Sequence, residues 1–134
     1  MNELLNRTFK TWAYTVSHSF LILRSPLKYP DRVIFSESEK FNIDIEFSAV
    51  AYLDIPSILP GVIIHQIENS IPKKLRHYRN KLGYKIFEIT SENNQYYIVA
   101  GSYRVGKSRW LSEDRIQNMN LEYDEIIATS QNVD

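Results

Sequence analysis

The order of apolar residues predicts an α+β fold: a mainly antiparallel sheet of about six or seven strands, an amphipathic helix near 71–82 and a C-terminal helix near 113–127. Three observations predict it. Most of the chain alternates apolar and polar side chains with the period of two that a half-buried strand requires. One stretch, SIPKKLRHYRNKLG, shifts to a helical period. Turn-forming residues separate these segments, and no repeat, low-complexity tract or linker intervenes, so one domain spanning 1–134 is expected.

From Phe9 to Leu23, FKTWAYTVSHSFLIL places Trp12, Tyr14, Val16, His18, Phe20 and Ile22 on one parity, which suits one long bent strand or a hairpin turning near 17–19. RSPLKYPD then supplies two prolines and ends extended pairing. The clearest strand is FNIDIEFSA. Phe41, Ile43, Ile45, Phe47 and Ala49 point to a core, while Asn42, Asp44, Glu46 and Ser48 are expected to occupy a solvated outer face. DIPSILPG reads as a loop, and VIIHQI as a short buried strand.

In SIPKKLRHYRNKLG, Ile71, Leu75, Tyr78 and Leu82 fall at i, i+4, i+7 and i+11 and form one apolar stripe; Pro72 suits a first turn and Gly83 the position past a helix end. YKIFEITSENNQYYIVAGSYRV is expected to be a hairpin turning at SENN. SEDRIQNMNLEYDEIIA opens with a serine cap at Ser112 and carries Ile116, Met119, Tyr123 and Ile126 or Ile127 at helical spacing. Its MNLEY portion alternates, so a terminal strand also suits it.

Composition narrows the function classes. The 134 residues are 43% hydrophobic and 24% charged, near the averages of soluble domains. Apolar runs such as FLIL and GVII fall far short of the roughly twenty residues a bilayer span needs. MNELLNRTFK lacks the layout of a secretion signal, so a cytoplasmic protein is expected. With no cysteine there are no disulfides, thiolate metal sites or cysteine nucleophiles. Sixteen basic and sixteen acidic residues cancel, yet they are segregated. Between positions 73 and 85 lie six cations (Lys73, Lys74, Arg76, Arg79, Lys81, Lys85) with His77 and no acid.

One motif stands out. Gly101, Gly106, Lys107 and Ser108 spell G-x-x-x-x-G-K-S, which resembles the phosphate-binding loop of the P-loop family. The resemblance implies a curled backbone around ATP or GTP phosphates, a lysine on the outer phosphates and a hydroxyl on magnesium. Against it, alternation continues through Tyr97, Val99, Gly101, Tyr103 and Val105, as in a strand. Only 26 residues follow Ser108, too few for that family's remaining sheet, and the apolar run ending in aspartate, AVAYLD at Asp54, precedes the motif.

Asp44 and Glu46 lie about 7 Å apart on one strand face, a spacing at which carboxylates can share a metal or divide acid and base roles. With Pro30-Asp31 upstream the order resembles the restriction-endonuclease-like pattern, with Glu46 where that pattern has lysine. The polar parity of an outer strand explains both acids without a site. His18, His65 and His77 have no second histidine at zinc spacing, and no nucleophile-elbow pattern occurs. No catalytic residue, cofactor or metal ligand is therefore assigned.

What remains points to noncovalent binding, to a protein partner or to a second copy. The seventeen aromatic residues include nine tyrosines, more than one sheet face can bury, and exposed Tyr and Arg are favoured at interfaces. The candidate partner-binding residues are Lys73, Lys74, Arg76, Arg79, Lys81, Tyr84, Tyr103, Arg104 and Trp110. Nucleic-acid binding through the basic stretch 73–85 is the alternative, and nucleotide binding at 101–108 a further one.

Overall fold

The computed structural model describes residues 2–17, 19–27, 41–110 and 122–130. Across them the chain forms ten strands: β1 (Thr8–Thr15), β2 (Phe20–Ser25), β3 (Asn42–Ser48), β4 (Tyr52–Asp54), β5 (Ile58–Pro60), β6 (Ile63–Ile67), β7 (Lys85–Ser91), β8 (Asn94–Ala100), β9 (Ser102–Ser108) and β10 (Glu125–Thr129). Among the described residues, helical backbone is confined to one turn at Asn2–Leu5 and a 3-10 segment at Lys73–Tyr78. The α+β expectation is thus corrected to a nearly all-β domain.

All strand pairs are antiparallel. They form a six-stranded sheet in the order β10-β9-β3-β2-β1-β5 and a four-stranded sheet in the order β4-β8-β7-β6. The sheets are continuous through chain corners, where β3 leads to β4, β5 to β6 and β8 to β9. At one corner the Gly101 N–H donates to the Ser48 carbonyl at 2.9 Å, and the Ala51 N–H to that of Val99 at 2.7 Å. These corners fold one sheet over the other, so both inner faces share a core.

That core holds Phe9, Leu21, Leu23, Ile43, Ile45 and Phe47 from the larger sheet and Phe87, Ile89 and Ile98 from the smaller. Phe47 meets Phe87 edge-on at 5.9 Å, and Phe87 meets Tyr103 at 5.3 Å. Burying each such side chain contributes about 1.5–3 kcal/mol, which makes this contact between sheets the main tie of the domain.

Several elements match the sequence pattern. β1 and β2 form a hairpin, with a register shift between Thr11 and Ala13 that breaks the single aromatic parity. β7 and β8 turn at Glu92 and Asn93, whose φ angles of 50° and 65° are those that a two-residue hairpin turn demands. DIPSILPG, expected to be a loop, is corrected: its Ile58–Pro60 forms β5, which pairs with β1, and Pro60 is tolerated there because β5 is the sheet's edge.

Both expected helices are corrected. The segment 71–82 forms only the six-residue 3-10 turn Lys73–Tyr78, with no side-chain cap and no acid in its first turn. Cations at three- and four-residue spacing repel along an α-helix, so little stabilises a longer one. Ile71 and Leu75 still bury themselves, against Ile86 and Val99 on the outer face of the smaller sheet, but Leu82 is 99% exposed. Of the C-terminal helix, 113–121 lies outside the described residues, and 125–129 is β10. Its β-branched Ile126, Ile127 and Thr129 pair with the edge that β9 would otherwise leave open. VIIHQI is also corrected: β6 is the edge of its sheet, and of its five side chains three are exposed and two half-buried.

Candidate binding surface and a buried charged layer

The polar face of β3 is not solvated. Asp44 is fully buried, and Asn42 and Glu46 nearly so. Each lies beside a complementary group supplied by a neighbouring strand. Arg24 of β2 pairs with Asp44 in register and donates to both carboxylate oxygens, at 2.6 and 2.9 Å. Arg104 of β9 pairs with Glu46 in register and donates from Nε at 2.8 Å. The Tyr123 hydroxyl lies 3.1 Å from Asp44 and 2.7 Å from Glu46, joining the two ion pairs. Asn42 donates to Ser108 Oγ and to the Trp110 carbonyl.

Aromatic rings cover this layer. Arg24 lies 4.9 Å from the Trp12 ring centre and 5.8 Å from that of Trp110, and Arg104 lies 5.0 Å from that of Tyr123. Trp110 and Tyr123 stack at 5.0 Å. Charges matched in number, hydrogen-bonded and roofed by rings satisfy the conditions under which ions are tolerated in a protein interior. Such an arrangement holds the carboxylates in place; Asp44 is sealed, whereas Glu46 and Arg104 line an open pocket of ≈ 260 Å³ with Ser48, Ser102 and Thr129. Among the described residues, no group of three His, Asp or Glu side chains is placed to hold a metal ion.

The Gly-Lys-Ser stretch belongs to the same layer. β9 is paired on one side with β3 and on the other with β10 along Arg104 to Lys107, so its backbone is extended in two ladders and forms no curl. Each motif residue has a packing role. A Cβ on Gly106 would lie 2.6 Å from Cδ1 of Tyr123, so glycine is what lets that ring lie across the strand. Ser108 accepts from Asn42, and the Lys107 ammonium lies 5.6 Å from the Phe41 ring centre.

The expected partner-binding residues divide into two groups. Tyr103 turns inward onto Phe47 and Phe87, and burial pushes its phenol above the ordinary range. Arg104 and Trp110 belong to the charged layer. Lys73, Lys74, Arg76, Arg79, Lys81 and Tyr84 instead cluster on and after the 3-10 turn, at the outer face of the smaller sheet.

Around that turn, Tyr78 lies 6.3 Å from Tyr52 and 6.5 Å from Tyr84, ring centre to ring centre, and its hydroxyl donates to the Ala51 carbonyl. Lys81 lies 5.6 Å from the Tyr78 ring centre. Lys74 bonds Asp54 at 2.8 Å, which holds the Asp54 carboxyl below its usual range and raises the Lys74 ammonium. Beyond the turn, Gly83 adopts φ 86° with no atom near its α-carbon substituent position, and so reverses the chain to leave Leu82 projecting. Arg79, Lys85 and Tyr84, with Gln66, Glu68 and Asn80, border an open cleft of ≈ 340 Å³.

The charged layer had a partial signal in the sequence: Arg24 interrupts an apolar run, and β3 carries acids at alternate positions. Which arginine meets which acid depends on strand order, which periodicity does not encode. Comparison with protein-family models, with curated proteins and with solved structures finds no match.

Proposed function

We propose that this chain is a noncovalent binding domain, that its contact surface is the cationic segment 73–85 with the adjoining cleft, and that its partner is an acidic protein surface. The observation that carries the reading is Leu82: a leucine 99% exposed, held out by a positive-φ glycine and flanked in sequence by Arg79, Lys81, Tyr84 and Lys85. A projecting aliphatic side chain within a charged rim is the anatomy of a protein contact, where a buried apolar centre supplies affinity and charge supplies orientation and encounter rate. Tyr84, 38% exposed, adds an aromatic anchor of the type enriched at such centres.

Nucleic acid remains the second reading, supported by the run of cations. Leucine offers a base no stacking face, so protein is preferred. Titration by NMR with poly-L-glutamate and, separately, with a single-stranded oligonucleotide of equal charge tests the choice. Salt-sensitive shifts confined to 73–85, stronger with polyglutamate and lost in an Arg79→Glu/Lys81→Glu variant, are expected. Preference for the oligonucleotide would transfer the surface to the second reading, and no shift there with either polymer at low salt would overturn both.

A further inference from the structure

Three features meet at β6. First, among the described residues β6 ends the four-stranded sheet and pairs only with β7. Among the described residues, no backbone hydrogen bond other than that ladder involves residues 63–67. Alternate residues of an edge strand turn N–H and C=O outward, so the edge offers a row of unmet donors and acceptors. The devices that usually guard such an edge are absent from Ile63–Ile67: it has no lysine, no proline, no formal charge and no register shift.

Second, an apolar groove of ≈ 280 Å³ opens at the start of the strand, lined in part by Leu4, Leu5, Val62, Ile63 and Ile64. Leu5 is 48% and Ile63 37% exposed, large apolar groups beside unmet backbone. Third, the cationic cleft with Arg79 and Lys85 begins at the far end, where Gln66 and Ile67 line it. Arg79 makes no side-chain ion pair among the described residues.

We infer that the free edge of β6 receives an extended segment of the acidic partner as an added strand. The inference rests on the cationic-surface reading above and makes it more specific. Backbone bonds along 63–67 hold the segment, an aliphatic side chain fills the groove at Leu5 and Ile63, and a carboxylate meets Arg79 at the other end. Strand rise is about 3.3 Å per residue, so those two side chains lie about three to five residues apart. A second copy of the chain fits less well. A two-fold axis through an antiparallel β6–β6 pair would set the cationic end of each copy against the apolar end of the other, with no carboxylate to meet Arg79.

The test pans a random dodecapeptide display library on the full chain and titrates the enriched peptides, as synthetic molecules, into the protein and its variants. His65→Pro and Gln66→Pro are made together as a pair of single variants, because of two adjacent edge residues one points its N–H outward and can lose it without breaking the β7 ladder. The variant that keeps the wild-type circular dichroism spectrum is used. Expected are peptides with an aliphatic and an acidic residue at the stated spacing, perturbing amides of 63–67, and bound at least tenfold more weakly by the proline variant and by Arg79→Glu. Peptides weakened by Arg79→Glu but untouched by the proline change would overturn strand addition and leave the cationic surface standing. Peptides weakened only by the proline change would overturn the acidic partner. Failure to enrich any peptide, or concentration-dependent dimerisation in sedimentation velocity that the proline variant abolishes, would also overturn the inference.

Discussion

Breaking the Arg24–Asp44 pair probes the charged layer most directly. The two side chains are 3% and 0% exposed and share two hydrogen bonds, so neither charge has water to fall back on. Arg24→Met keeps an aliphatic stem between Trp12 and Trp110 but strands the Asp44 carboxylate, with the Tyr123 hydroxyl as its remaining described side-chain partner. Stranding one member of a buried pair costs about 3–5 kcal/mol. Native domains have only about 5–15 kcal/mol in hand. At a urea slope near 2 kcal/mol per molar, within the usual range, the midpoint should fall by about 2 M.

Asp44→Leu should cost a similar amount by stranding Arg24 instead. The double variant Arg24→Met/Asp44→Leu removes both charges and leaves Tyr123 its bond to Glu46, so it should be more stable than either single variant. Urea unfolding followed by tryptophan fluorescence measures all four proteins, since Trp12 and Trp110 flank the pair. Single variants that lose less than about 1 kcal/mol, or a double variant whose loss equals the sum of the singles, would refute the reasoning.

Gly106→Ala should drive a methyl group into the Tyr123 ring; overpacking of this kind costs about 1–3 kcal/mol, so thermal unfolding should shift down by several degrees, and an unchanged midpoint would mean that the ring does not lie there. Asp54 should titrate below the ordinary carboxylate range by carboxyl-carbon NMR, and Lys74→Ala should move it up. The depressed value gives stability that is present above the unfolded-state pKa and lost as pH falls through the folded one, but both partners are about half exposed, so the titration shifts while the melting temperature barely does. Leu82→Asp should leave urea stability unchanged, because the side chain touches almost nothing, and should weaken binding of an acidic probe; a destabilised variant would show that Leu82 packs in solution.

How much was legible in the sequence differs by element for physical reasons. β3 and the β7–β8 hairpin were readable because period-two alternation and the Glu92-Asn93 turn are local signals. The 3-10 turn was misread because Ile71, Leu75 and Tyr78 do supply a stripe, and the stripe says nothing of how far the helix continues against repelling cations. VIIHQI was read as buried because hydrophobicity does not reveal whether a neighbour exists on the second side. Of the candidate site, the cations and Tyr84 lie near one another in sequence and on and after the 3-10 turn, not along one face of the helix that the pattern called for. Tyr103, Arg104 and Trp110 were taken for surface because their exposure depends on β3, β7 and Tyr123, partners distant in sequence.

The two sheets differ in what they leave to a partner, and this bears on the binding reading. In the larger sheet every residue of β2 and the first six of β3 are buried, with the charged layer consuming the polar groups of its outer face. Two arginines there neutralise two acids, so those four residues carry no net charge and their field falls off faster with distance than that of a free cation. The chain stays formally neutral without them, but its charges are segregated: 73–85 carries six cations and no acid, and the described ion pair there, Lys74 with Asp54, offsets a single cation. A field of that sign on the smaller sheet, beside an unpaired strand edge, favours carboxylate-bearing chains in encounter before any contact selects among them.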